Sequence, residues 1–94
     1  MKILWLRRAE KSLEDLMDTI AKDNPMAAYR MIVRLLTAAE KLLTHPHLGR
    51  LGRITGTREL VVPGTSYILP YRIKGNELQI LHVLHGARLW PKDF

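Results

Sequence analysis

The chain has no cysteine at all. That excludes a disulfide framework and every thiolate metal site. A small fold without such staples fits a reducing compartment. Long apolar runs are missing too. The opening "MKILWLRRAEK" has an unbroken run of four apolar residues before two arginines, too short for a signal peptide or a bilayer span. The expectation is a cytoplasmic protein that does not engage a membrane. Acidic residues are scarce, with 9 Asp and Glu against 15 Lys and Arg, a net charge of +6.

What is present is ordinary for a globular protein: 94 residues, 47% hydrophobic and 26% charged. A chain of this length is expected to form one domain over residues 1–94, burying roughly 65% of its unfolded surface. The charge is unevenly spread. Residues 1–24 hold five basic and five acidic side chains, whereas the rest holds ten against four. A basic surface confined to part of a domain suggests an acidic partner, either nucleic acid or an acidic protein segment. Solubility is the plainer use of the same charge.

"KILWL", residues 2–6, has the length of a buried strand. From Ala9 the period changes, and Ala9, Leu13, Leu16, Met17 and Ile20 make one apolar stripe on a helix. "KDNP" ends it: Asn24 is a good N-cap, and Pro25 suits the first turn of a second helix. The stripe resumes through Ala28, Met31, Ile32, Leu35, Ala39, Leu42 and Leu43, and stops where Pro46 restricts His45. So short a turn makes the helices an antiparallel hairpin. Tyr29 and the methionines read as core.

"HLGRLGRITGTREL" has no sustained period and reads as an irregular loop leading into a strand near Arg58. Period two follows. "RELVV" (58–62), "YILPYRI" (67–73) and "LQILHVLHG" (78–86) are three antiparallel strands joined by "PGTS" and "KGNE". Pro70 cannot donate to a ladder, so a bulge or an unpaired stretch is expected beside it. The fold class is α+β: a helical hairpin on a small, mostly antiparallel sheet, in the order β-α-α-β-β-β. There is no internal repeat and no low-complexity segment.

Candidate chemistry is limited. "GRLGRITG" lacks the Lys-Ser/Thr ending of a phosphate loop and precedes a strand rather than a helix. No carboxylate is spaced to complete a metal site with His45 and His47 or with His82 and His85, so neither a metal nor a cofactor is expected. On an unbroken strand His82 and His85 point to opposite faces; by parity His82 packs and His85 reaches solvent. An exposed imidazole beside Arg88 can move a proton near neutral pH, or simply bond to the local backbone. Arg50, Arg53, Arg58, Arg72 and Arg88 form a second constellation, with Arg58 and Arg72 expected on a common face. The guanidinium fork suits phosphate, and Tyr67 and Tyr71 lie close enough to offer rings or hydroxyls. Alternatively, these arginines hold Glu59 and a helix end in salt bridges.

"RELVV…YILPYRI…LQILHVLHGAR" resembles the last three strands of the ParE/RelE superfamily, the toxins of bacterial type II toxin–antitoxin modules. "AEKSLEDLMDTIAKDNPMAAYRMIVRLLTAAEKLLTHPHLGR" is similar to the family's helical hairpin and the loop after it. The resemblance covers essentially the whole chain. It implies a growth-inhibiting toxin, associated with plasmid stabilisation and silenced by a cognate antitoxin with an acidic, disordered tail. Operator DNA would be met only through that antitoxin. "ILHVLHGAR" resembles the ParE-like ending, which implies DNA gyrase as target and binding rather than hydrolysis. The target surface would then be Arg50, Arg53, Arg58, Arg72 and Arg88, edged by His85 and Trp90. A RelE-like enzyme is the alternative. It would be an mRNA interferase cutting on the ribosome, with Arg58, Arg72 and Arg88 on phosphate and His85 as general acid or base. Against it, Ile68 or Leu69 stands where nuclease members carry an arginine, and no tyrosine follows "HGARLWPKDF".

Overall fold

The computed structural model describes residues 1–86 and 90–94. Strand β1 (Lys2–Trp5) leads into helix α1 (Arg7–Ala21), which begins two residues before the apolar stripe does. Helix α2 (Pro25–Thr44) starts as its sequence requires: the Asn24 side chain accepts from the Ala27 N–H, and Pro25 occupies the first turn. His45 ends it with non-helical dihedrals before Pro46.

Strands β3 (Arg58–Val61), β4 (Tyr67–Lys74) and β5 (Glu77–Ile80) pair antiparallel, and β1 joins β5 in parallel. Residues expected to be loop supply a further strand, β2 (Arg50–Leu51), paired antiparallel to β3. Two residues are too few to show a period, which is why no sequence pattern announced it. The order is β1-β5-β4-β3-β2. Helix α2 lies against β1 and β5, and one core runs between hairpin and sheet. Leu35, Leu42, Val62, Leu69, Tyr71, Leu78 and Ile80 are fully buried there. Each such leucine or isoleucine contributes about 1.5–3 kcal/mol.

The third long strand of the sequence reading is broken in two. Tyr71 pairs with Ile80, while Ile68 pairs with Leu84 of strand β6 (Leu84–His85). Between those pairs β4 has two residues, Leu69 and Pro70, and the facing chain has three, Leu81, His82 and Val83. This is a bulge, and it sits where Pro70 offers no N–H. The Pro70 carbonyl still accepts from the Leu81 N–H at 2.8 Å. One extra residue inverts the alternation beyond it. Val83, not His82, therefore joins the core cluster.

Two further expectations are corrected. Arg58 faces Tyr71 across the ladder, so Arg72, the next residue, points to the other side of the sheet. Tyr29 is 64% exposed, and Met26 and Met17 also face solvent, although Met31 packs on the core. Among the described residues no helix is long and apolar enough to cross a membrane.

Candidate functional site

The candidate basic residues occupy two different electrostatic settings. In the first, Arg50 on β2 lies opposite Glu59 on β3, and the Glu59 carboxylate is almost wholly buried. Its Oε1 accepts from Arg50 Nε at 3.1 Å, and Arg50 Nη2 is also 3.1 Å away. Its Oε2 accepts from the Arg53 main-chain N–H at 2.9 Å, with the Arg53 guanidinium 3.9 Å distant. A buried carboxylate needs such partners, because an uncompensated charge out of water is costly. The Arg53 guanidinium also lies 3.6 Å from the centre of the Trp90 ring, a cation–π stack. The alternative reading, arginines gathered around Glu59, describes these two.

The second setting holds Arg58 and Arg72. Arg58 Nη1 donates to the carbonyls of Gly49 at 2.8 Å and His47 at 3.4 Å. Arg72 Nε donates to the Gln79 side-chain carbonyl at 2.8 Å. All these acceptors are neutral, and neither arginine makes an ion pair among the described residues. Although they point to opposite sheet faces, both line one hollow of about 180 Å³ with His47, Gly56, Tyr71 and Ile73.

Tyr71 builds that corner. Its ring is fully buried; its hydroxyl donates to the Pro46 carbonyl at 2.7 Å and accepts from the Gly49 N–H at 2.9 Å. Burial pushes the phenol pKa up, opposed by the Gly49 hydrogen bond and the Arg58 charge. The turn after α2, which carries His47, is thereby tied to the sheet. A Cβ at Gly49 would fall 2.6 Å from the ring, so glycine is required there.

The histidines depart from their sequence-based placement because of the bulge. His82 is half-buried at the bulge rather than in the core: its Nδ1 is 2.9 Å from the Val83 N–H and 3.2 Å from Ser12 Oγ, and its ring lies against Phe94. The same Nδ1 is 3.1 Å from the Val83 carbonyl, so it accepts from the N–H when it carries the lone pair and donates to the carbonyl when it carries the proton. Burial holds the His82 pKa below its ordinary 6.5, against the Val83 backbone contact and with help from Arg8. His85 pairs with Tyr67, packs edge-on against its ring, and lines a hollow with Ser12, Asp15 and Thr19 of α1. Tyr67 and Tyr71 are four residues apart along β4, roughly 13 Å. The fold thus keeps His85 away from Arg58 and Arg72. Arg88 lies outside the described residues. Trp90 does adjoin Arg53, as an edge of the basic surface would.

A second candidate surface was missed by sequence reasoning. Two adjoining hollows of about 330 and 420 Å³ share Ala38, Lys41 and Pro63 and form a groove between α2 and β3. Val33, Leu48, Val61 and Val62 give it an apolar floor, with Tyr29 at one end. Arg30, Arg34, Lys41 and Arg50 line its rim. Its one acidic lining residue is Glu59, already neutralised by arginine. A signal was available: Met26, Tyr29, Val33 and Leu36 make α2 apolar well outside its core stripe. Among the described residues no group of three His, Asp or Glu side chains is placed to hold a metal.

The chain matches, over residues 3–90, the family model described as the ParE toxin of the type II toxin–antitoxin system parDE. It is 43% identical over 91 residues to Y4kP of Sinorhizobium fredii, a protein named as a toxin, covering 97% of this chain and 94% of that one. It is 36% identical over 88 residues to Toxin RelE2 of Caulobacter vibrioides, covering 94% and 98%. A solved chain from the chromosomal ParDE system of P. aeruginosa superposes with a TM-score of 0.82 at 25% identity, over 90% of this chain and 95% of that one.

Proposed function

Because the chain belongs to the ParE toxin family of type II toxin–antitoxin systems, we propose that it acts in the cytoplasm by binding DNA gyrase, and that a cognate antitoxin silences it. The observation that carries the antitoxin half is the α2–β3 groove, with apolar floor and cationic rim. An acidic, disordered tail that folds on binding would bury its apolar residues on Val33 and Val61 and set its carboxylates against Arg30, Arg34 and Lys41. Strand β2 covers only Arg58 and Glu59 of β3, so the rest of that edge opens beside the same groove. Contact with operator DNA would come through the antitoxin.

The gyrase half rests on the ParE-like closing segment, with Arg50, Arg53, Arg58, Arg72, Arg88 and Trp90 as the target surface. The RelE-like alternative, a ribosome-dependent mRNA endoribonuclease, draws support from the name of the Caulobacter relative. It needs His85 within hydrogen-bond reach of a scissile group held by Arg58 and Arg72. The separation along β4 argues against that assembly.

Both halves are tested with the purified protein. Gyrase-dependent DNA breaks in a supercoiling assay, with intact mRNA ends in a translating extract, are expected. Codon-positioned cuts abolished by His85→Ala would overturn the gyrase reading. The double substitution Val33→Glu, Val61→Glu is expected to abolish rescue by a co-expressed antitoxin while growth inhibition persists; undiminished rescue would remove the groove from the proposal.

A further inference from the structure

We propose that His47, Arg58 and Arg72 form a phosphate-binding niche that grips the backbone of a nucleic-acid strand. The hollow they line is about 180 Å³. That is below the range of sites that enclose a whole small-molecule ligand and suited to a single phosphoryl group. No carboxylate lines it. Arg58 and Arg72 are both half-buried, where a charge is less screened than in open water, and their acceptors among the described residues are neutral. Gln79, the acceptor of Arg72, in turn donates to Glu77.

The donor set favours phosphate over carboxylate. One guanidinium fork satisfies a carboxylate, whereas a tetrahedral phosphoryl group accepts from several directions at once. Here two arginines and a histidine line one space, and they come from three separate elements: the turn after α2, β3 and β4. Gly56, with φ +82°, borders the same space, and a Cβ there would meet nothing within 4 Å, so its backbone leaves the mouth open. A strand is favoured over a free anion because the positive charge continues. Lys74 follows Arg72 on the same face of β4, and Lys2 flanks Glu77 beyond it, both exposed. The niche does not depend on gyrase being the target.

The test uses the full chain and three probes: inorganic phosphate, an octaglutamate peptide, and a single-stranded octanucleotide, the last also at graded salt. Backbone and imidazole NMR shifts locate binding, and fluorescence anisotropy measures it. Expected are octanucleotide-dependent shifts at His47, Gly56 and Arg72. Arg72→Gln should weaken binding about tenfold, the size of one charge-assisted contact, and lower the salt slope by about 1. Arg30→Gln, the same charge loss on α2, should change it less than about twofold. His47→Gln, which leaves the Tyr71 and Arg58 anchors alone, should weaken binding without altering stability. Equal losses in Arg72→Gln and Arg30→Gln would overturn the niche in favour of diffuse attraction. Phosphate binding as tightly as the octanucleotide would overturn the strand. Octaglutamate giving the same shifts at the same affinity would overturn phosphate and indicate an acidic protein partner.

Discussion

The corner around Glu59 and the corner around Tyr71 each hold two arginines and lie on neighbouring strands, yet their arginines meet different partners. At Glu59 a single buried carboxylate is shared by Arg50 and Arg53 and cancels one of their two charges, and Arg53 is further engaged by Trp90. At Tyr71 the guanidinium groups of Arg58 and Arg72 bond, among the described residues, only to neutral oxygens, and no carboxylate offsets their charge. Counting arginines therefore overstates the available positive surface by the one charge that Glu59 cancels. The first corner holds a loop in place; the second can take a ligand.

The comparison can be broken most severely at its base. Tyr71→Ala removes a fully buried ring and is expected to destabilise the chain by about 3–5 kcal/mol. Urea titration measures it. Tyr71→Phe keeps the ring but strips the Pro46 carbonyl and the Gly49 N–H of their partner, at a cost of about 1–3 kcal/mol. If Tyr71→Phe were as stable as the parent, the hydroxyl would not be what ties the turn to the sheet.

A smaller effect sharpens the contrast between the corners. Glu59→Gln removes the charge that compensates Arg50 and Arg53. Both guanidinium groups are more than half exposed, so water can re-solvate them, and the expected loss is about 1–2 kcal/mol rather than the larger penalty of a stranded buried charge. The same substitution should raise affinity for a polyanion at low salt, since two cations are released from their partner. Destabilisation without any gain in oligonucleotide binding would show that Glu59 was not masking them.

Much of this fold was legible because its signals are local. The Asn24–Pro25 start of α2, the stop at Pro46 and the first two period-two runs each depend on neighbours in sequence, and each stands where those residues put it. Even the bulge was legible, since a proline inside a strand lacks a donor. Its consequence was harder to see. Assigning His82 inward and His85 outward assumes an unbroken alternation through residues 78–86, and the bulge at Leu81–Val83 cancels that assumption. Arg58 and Arg72 fail as face-mates for a related reason, because cross-strand register decides which residues meet. The pairing of Arg50 and Arg53 with Glu59 depends on β2, which is too short to carry a pattern. Of the expected site, Arg53 and Trp90 do meet, and Arg58 and Arg72 share a hollow, but His47 takes the position imagined for His85.

The subtlest expected effect concerns the histidine that the bulge displaced. Nδ1 of His82 can accept from the Val83 N–H only while it is unprotonated, and burial lowers the His82 pKa in the folded chain below 6.5. Between that lowered value and the ordinary one, the unfolded chain binds the proton more readily than the folded chain. Stability from this group is therefore fully present above about pH 6.5 and declines as pH falls through that window toward the folded value. The charged neighbour Arg8 acts in the same direction, because a second cation beside it disfavours the imidazolium. His82→Asn supplies a carbonyl oxygen that can accept from Val83 without titrating. Urea midpoints at pH 7.5 and 5.0 should fall further apart in the parent than in the variant, by the share His82 contributes. An identical pH dependence in both would mean that protonation at this position leaves the bulge undisturbed, and that Pro70 alone is enough to hold it.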